Sequence, residues 1–154
     1  MGLDMYLIKK TYVKNYSFMS PEELTKITIE GGRGTSIKPE RITYIEEELA
    51  YWRKANHIHH WFVENVQDGE DDCRLYYVTL ENLINLVETC EKVLINNDLA
   101  QELLPVRQGF FFGSYGYDEG YFEDVKYTYE TIKEIINDLE NNPSYDEIYY
   151  KSSW

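Results

Sequence analysis

His57, His59 and His60 are the only histidines in a chain of 154 residues, and they share one short stretch. Residues 46–66 (EEELAYWRKANHIHHWFVENV) also hold Trp52, Arg53, Lys54, Asn56, Trp61 and Glu64. Nowhere else in the chain do imidazoles, cations and large aromatics converge. Such a set suits three chemistries: metal ligation, acid–base work by an imidazole, or capture of an anion or a protein partner.

The stretch has helical periodicity. At 100° per residue, Tyr51, Ala55, Ile58, Phe62 and Val66 share one apolar stripe, bordered by Trp52, His59 and Val63. His59 then points into the core, where a backbone carbonyl or a tyrosine hydroxyl would satisfy it. The alternative is an imidazole at the floor of a pocket. The opposite, solvent-facing side carries Arg53, His57, His60 and Glu64. His57, His60 and Glu64 are spaced i, i+3, i+7, which aligns three possible metal ligands. Arg53 beside them opposes a cation, however, and Ile58 and His59 stand where a metalloprotease H-E-x-x-H motif needs other residues. No metal and no cofactor are expected. Trp61 falls off the apolar stripe, near Lys54 and His57, so it either lies under a loop or anchors an interface.

Elements must hold this stretch in place, and the hydrophobic pattern supplies them. Residues 3–13 alternate and are rich in β-branched and aromatic types, which predicts a strand. Shorter strands are predicted at 24–30, 42–45 and 75–78, and an apolar run flanked by glycines, GFFFG at 109–113, predicts a buried central strand. Residues 145–151 predict a last, edge strand. Helices are predicted at 46–66, at 80–96 behind a Thr79 cap, and at 121–141. The second buries Leu83, Leu86, Val87, Cys90 and Leu94. The third buries Phe122, Val125, Tyr129, Ile132, Ile136 and Leu139, and Asn141-Asn142-Pro143 ends it. The expected fold is α+β, a single domain over 1–154, with a mostly antiparallel or mixed sheet of about five to six strands and three helices.

Composition narrows the function. Hydrophobic residues make up 43% of the chain, which excludes a disordered protein, and 15 of the 24 aromatics are tyrosines whose hydroxyls favour surfaces and interfaces. Fifteen Lys and Arg stand against 28 Asp and Glu, a net charge of −13. That field repels nucleic-acid phosphates and anionic membranes and favours basic partners, so direct nucleic-acid binding and membrane binding are not expected. Solubility alone also accounts for an acidic surplus. No apolar run approaches transmembrane length, and an acid stands where a signal peptide has its basic region. Cys90 reads as a small core hydrophobe and Cys73, behind two aspartates, as unreactive, so a reducing cytoplasm is the expected compartment.

Enzyme signatures are weak. Gly31, Gly32 and Gly34 lack the Lys-Ser/Thr ending of a P-loop, the 67–72 loop (QDGEDD) lacks the EF-hand order, and no G-x-S-x-G elbow is present. Asp118 and Glu119 occupy the positive end of the third helix and read as caps, not as neighbours of a bound phosphate.

Three segments, MGLDMYL, YWRKANHIHHWFV and GFFFGS…YDEGYFED, resemble in type and order a set of small uncharacterised proteins of phages and prophages. In those relatives the middle segment reads YWRKAN-x-IH-x-WF, so His57 and His60 fall at variable places. The resemblance moves attention to Arg53, Lys54, Asn56, His59 and Trp61, and implies a bacterial host and a mobile-element setting. It implies no activity or catalytic residue.

The leading expectation is therefore a non-enzymatic phage or prophage accessory protein. It would bind a host protein with a basic surface, such as a defence or nucleic-acid-processing factor, through an acidic and aromatic surface. The alternative is a small-ligand or nucleotide-binding protein. Its pocket would lie between the 51–63 helix and the 114–120 turn, with Arg53 and Lys54 meeting an anion and tyrosines such as Tyr117 stacking on a ring. The binding residues expected across both readings are Trp52, Arg53, Lys54, Asn56, His59, Trp61 and Tyr117.

Overall fold

Alternation of Leu3, Met5 and Leu7 with Asp4, Tyr6 and Ile8 builds the first strand, β1 (Asp4–Tyr12). The computed structural model describes residues 2–109, 112–142 and 146–154. Four antiparallel strands form one sheet: β1, β2 (Tyr44–Arg53), β3 (Tyr76–Val78) and β4 (Asp146–Ser153), in the order β2-β1-β4-β3. Four α-helices accompany it: α1 (Asn56–Asn65), α2 (Leu80–Ile95), the single-turn α3 (Ala100–Leu103) and α4 (Glu119–Asn141). Short 3-10 turns cover Gly32–Ser36, Pro39–Arg41 and Asn97–Leu99. The class is α+β as expected, with four strands and four helices among the described residues, against the expected five to six and three.

The differences have physical causes. The 46–66 helix divides. Residues through Arg53 belong to β2, which lies in register with β1 from Asp4↔Arg53 to Tyr12↔Tyr44. Glu, Leu and Ala favour a helix locally, but ladder pairing and burial of Ala50 and Trp52 on one face of the sheet override that preference. A register irregularity at Leu7/Ile8 accommodates the extra residue, Leu49. Residues 24–30 form no strand and lie largely exposed. In the expected 109–113 strand, Phe110 and Phe111 lie outside the described residues, while Gly109, Phe112 and Gly113 belong to no strand. Of the expected 145–151 strand, Tyr145 lies outside the described residues. The rest is β4, which is internal and pairs with both β1 and β3.

The helices lie on one side. Met5, Leu7, Ala50, Trp52, Ile148 and Tyr150 point from the sheet into a core completed by Ile58, Phe62, Leu83, Leu86, Cys90, Val125 and Ile132. Phe62 of α1 stacks on Tyr150 of β4, with ring centroids 3.9 Å apart and planes within 6°. Trp52 donates its indole N–H to Thr128 Oγ1 of α4 at 2.8 Å, which satisfies both polar atoms inside the core. Thr79 and Asn82 form a reciprocal capping box at α2, and Asp118 caps α4 by accepting from the Tyr121 N–H at 3.0 Å. Cys90 is fully buried, as its place on the apolar face of α2 predicts, and burial pushes its thiol up to about 12.

Pairing in the ladder identifies the other face of the sheet. It carries Tyr6, Ile8, Lys10 and Tyr12 of β1, Tyr44, Glu46, Glu48 and Tyr51 of β2, Glu147, Tyr149 and Lys151 of β4, and Tyr77 of β3. No described helix packs on it.

Candidate functional site

The chain leaves β2 for α1 through an unusual link. Lys54 has φ 61°, in the left-handed region that a side chain rarely adopts, and its N–H donates to Leu3 O at 2.7 Å. Ala55 is the residue before α1 and offers no side-chain cap. Asn56 then ties down the segment that crosses in front of it. Its Nδ2 donates to Phe112 O and Ser114 O, both at 2.9 Å, and its Oδ1 accepts from the Arg107 N–H at 2.8 Å. Gly113, at φ 88°, presses against the link. A Cβ there would stand 2.8 Å from Lys54 Cβ and 3.0 Å from Lys54 O, so only glycine fits.

This arrangement opens a groove of about 330 Å³ between the β2–α1 link and residues 113–124. Arg53 and Lys54 are exposed on one side, and neither enters an ion pair or a side-chain hydrogen bond among the described residues. Asp118, Glu123 and Asp124 of α4 and its cap line the other. Asp118 is engaged as the helix cap and accepts from Ser114 Oγ at 3.2 Å, and these bonds hold its carboxyl below the usual range. Asp124 is half-buried without a side-chain partner, and desolvation, then the charges of Glu123 and Asp118, push its carboxyl up to about 6.

His57 also lines the groove. The sequence puts it on the solvent side of a helix, but Tyr121 stacks over its ring at 4.1 Å and leaves it 3% exposed. No protein atom among the described residues hydrogen-bonds its buried Nε2. Burial outweighs the attraction of Asp118 and lowers its pKa to about 3, so the ring is neutral. His60 is also held neutral, chiefly by burial and then by Arg107, with Glu64 Oε1 at 3.8 Å from its Nδ1. No group of three or more His, Cys, Asp or Glu among the described residues is placed to hold a metal ion.

His59 has a different role from a groove residue. It is 1% exposed, its Nδ1 shares a 2.7 Å hydrogen bond with Tyr150 Oη, and its Nε2 shares one of 2.9 Å with Asp71 Oδ1. Trp154 Nε1 donates to the same carboxylate oxygen at 3.2 Å. The network joins α1, β4, the C-terminal residue and the 67–72 loop. Its imidazole is satisfied by a tyrosine hydroxyl, as the core reading of the sequence anticipates, and by a carboxylate that reading did not foresee.

Of the other expected binding residues, Trp52 is 2% exposed and belongs to the core. Trp61 is 6% exposed, set edge-on against Phe62 and beside the 102–105 segment, so it lies under neighbouring chain. Tyr117 is half-buried; its hydroxyl accepts from the Val106 N–H at 3.3 Å and its ring meets Tyr121 edge-on at 5.0 Å. The structure thus brings Arg53, Lys54 and Asn56 to one groove, with Tyr117 behind its wall, and keeps Trp52, His59 and Trp61 in the interior.

Sequence reasoning missed the open face of the sheet. Six tyrosines share it: Tyr6 and Tyr51 with ring centroids 5.3 Å apart, Tyr12 and Tyr44 at 5.2 Å, and Tyr77 and Tyr149 at 6.0 Å. Tyr44 and Tyr77 are 54% and 58% exposed. Tyr51 Oη donates to Asp4 Oδ1 at 2.5 Å and Tyr149 Oη to Glu147 Oε2 at 2.8 Å, while Lys10 Nζ lies 5.5 Å over the Tyr149 ring. Tyr6 and Tyr12, an even number of residues apart in the first predicted strand, were the available signal; Tyr44 and Tyr51 are seven apart, reach the same face only through the irregularity at Leu49, and were obscured by the helical interpretation of 46–53. No helix among the described residues is long and apolar enough to cross a membrane. No family model, no curated protein and no solved structure matches the chain.

Proposed function

We propose that this protein is a non-enzymatic accessory protein of phage or prophage type that binds a basic host protein in the bacterial cytoplasm through the open face of its sheet. One observation carries the reading: a four-stranded sheet with its helices on one side presents six tyrosines on the other. Tyrosine buries a large ring at low entropic cost and keeps a hydroxyl for hydrogen bonding, which suits it to interfaces. A net charge of −13 selects the partner's sign. It speeds encounter with a basic surface, and it opposes nucleic acid and a second copy of the same chain. Lys10 and Lys151 among the tyrosines answer acids at the partner's rim.

The test compares the wild-type chain with a variant carrying Tyr44→Ser, Tyr77→Ser and Tyr149→Ser, its fold checked by circular dichroism and thermal melting. The wild type should retain a specific host protein from bacterial lysate and release it as salt rises, and the variant should lose it. Equal capture by the two chains, or capture that strengthens with salt, refutes this reading. Self-association of the wild type that the variant abolishes would reassign the face to a homodimer.

A further inference from the structure

The groove beside the β2–α1 link holds opposite charges that do not meet. Among the described residues Arg53 and Lys54 form no ion pair, in a chain with nearly twice as many acids as bases, so this is not for want of carboxylates. Glu123 and Asp124 line the same groove, and no ion pair joins the two walls. The separation is built in. Asn56 fixes residues 112 and 114 through two hydrogen bonds and residue 107 through a third, Gly113 packs on Lys54, and Asp118 pins the start of α4. These contacts fix the backbone of both walls.

His57 leaves a polar atom unsatisfied in the wall of this groove. Buried polar groups without a partner are rare, and they concentrate where function needs them. His57 is 3% exposed, lines both this groove and the neighbouring pocket beside residues 102–105, and its buried Nε2 has no hydrogen-bond partner among the described residues. The Lys54 backbone, at φ 61°, adds local strain at the same place.

We propose that the groove binds a small zwitterion of the amino-acid class, its carboxylate held by Arg53 and Lys54 and its ammonium by Asp124 and Glu123, with His57 in the wall between them. A purely anionic ligand would face the carboxylates of α4, and a purely cationic one would face Arg53 and Lys54. Only a molecule carrying both charges satisfies both walls. The volume of about 330 Å³ holds an amino acid and is too small for a folded protein segment. Arg53 borders both the groove and the tyrosine face, since it alternates with Tyr51 in β2, whereas Asp124 lines the groove from α4, so loss on Asp124→Asn reports on the groove alone.

Titration of the full-length, isotope-labelled chain by NMR at pH 7.5 tests this with four probes. Glycine and 6-aminohexanoate are a short and a long zwitterion, hexanoate keeps only the anion, and hexylamine only the cation. At least one zwitterion should shift backbone signals of residues 53–57 and 113–124. The single-charge probes should bind about tenfold more weakly, the loss expected when about 1.4 kcal/mol of ion-pair energy disappears. Arg53→Gln and Asp124→Asn should each weaken the zwitterion by a similar factor while melting remains cooperative. Absence of groove shifts with both zwitterions overturns the proposal. So does hexanoate or hexylamine binding as tightly as the better zwitterion, because one charged wall would then suffice.

Discussion

Replacing His57 by phenylalanine tests how the wall of the groove is built. The substitution keeps an aromatic ring for Tyr121 to cover and removes the buried nitrogen and the titration together. Burial lowers the folded pKa of His57 to about 3 from 6.5. The unfolded chain therefore takes up a proton that the folded chain refuses. The stabilisation is complete above 6.5 and is lost as pH falls toward 3, at up to about 1.4 kcal/mol per pH unit. Between pH 7 and pH 5 the wild type should lose about 2 kcal/mol through His57 alone. His59 and His60 shift in the same direction and add to the loss in both proteins, so the difference between wild type and His57→Phe isolates His57. Urea unfolding at the two pH values gives the comparison. The variant should be more stable by about 1 kcal/mol at pH 7, from removing an unpaired polar atom, and by about 3 kcal/mol at pH 5. Equal losses in the two proteins would mean that His57 titrates as a solvated histidine. His57 would then not be the covered wall of the groove.

Two further substitutions probe what holds the site together. Asn56→Ala removes the three bonds that seat residues 107, 112 and 114 and should lower the unfolding free energy by about 2–3 kcal/mol. Hydrogen exchange should quicken in that segment before it does in the sheet; unchanged protection there would show that Asn56 does not clamp it. Tyr150→Phe should cost about 1–2 kcal/mol by leaving His59 Nδ1 unpaired in the core. Combined with Asp71→Asn, it should show non-additivity of at least about 0.5 kcal/mol, because both partners act through one imidazole. Simple additivity in urea melts would dissolve the proposed coupling.

What was legible in the sequence follows from where local and tertiary forces agree. The α2 helix announces itself through Thr79 and its period of apolar residues, and α4 through Asp118 and Glu119, and both form nearly where the pattern places them. Residues 46–66 hide their boundary. Lys54 adopts a backbone conformation normally signalled by glycine, and Ala55 precedes α1 without a capping side chain, so no turn chemistry marks the change. The apolar stripe survives the error in part, since Ala55, Ile58 and Phe62 are buried, while Tyr51 is turned to the open face by strand alternation. Residues 24–30 alternate like a strand but find no partner in the sheet, and a period of two without a ladder is only a pattern. The fates of Trp61 and His57 depend on the 102–105 segment and on Tyr121, contacts across tens of residues that no local window contains.

The same geometry explains why the binding residues expected from sequence and the accessible ones diverge. A sheet with helices on one side must commit its largest side chains either to the core or to solvent, and side-chain chemistry decides which. Trp52 and Trp61 are buried, and the indole of Trp52 has Thr128 to satisfy it. Tyr150 is also taken inside, but only because His59 meets its hydroxyl. The tyrosines of the open face meet polar groups at the surface instead, Tyr51 with Asp4, Tyr149 with Glu147 and Tyr12 with Tyr16. Arg53 and Lys54 stay accessible for a related reason. They stand at the end of β2, where the chain turns out of the ladder, and Gly113 crowds Lys54 against the segment held by Asn56. The groove therefore forms where the sheet gives way to the helices, and the tyrosine face where the helices leave the sheet bare.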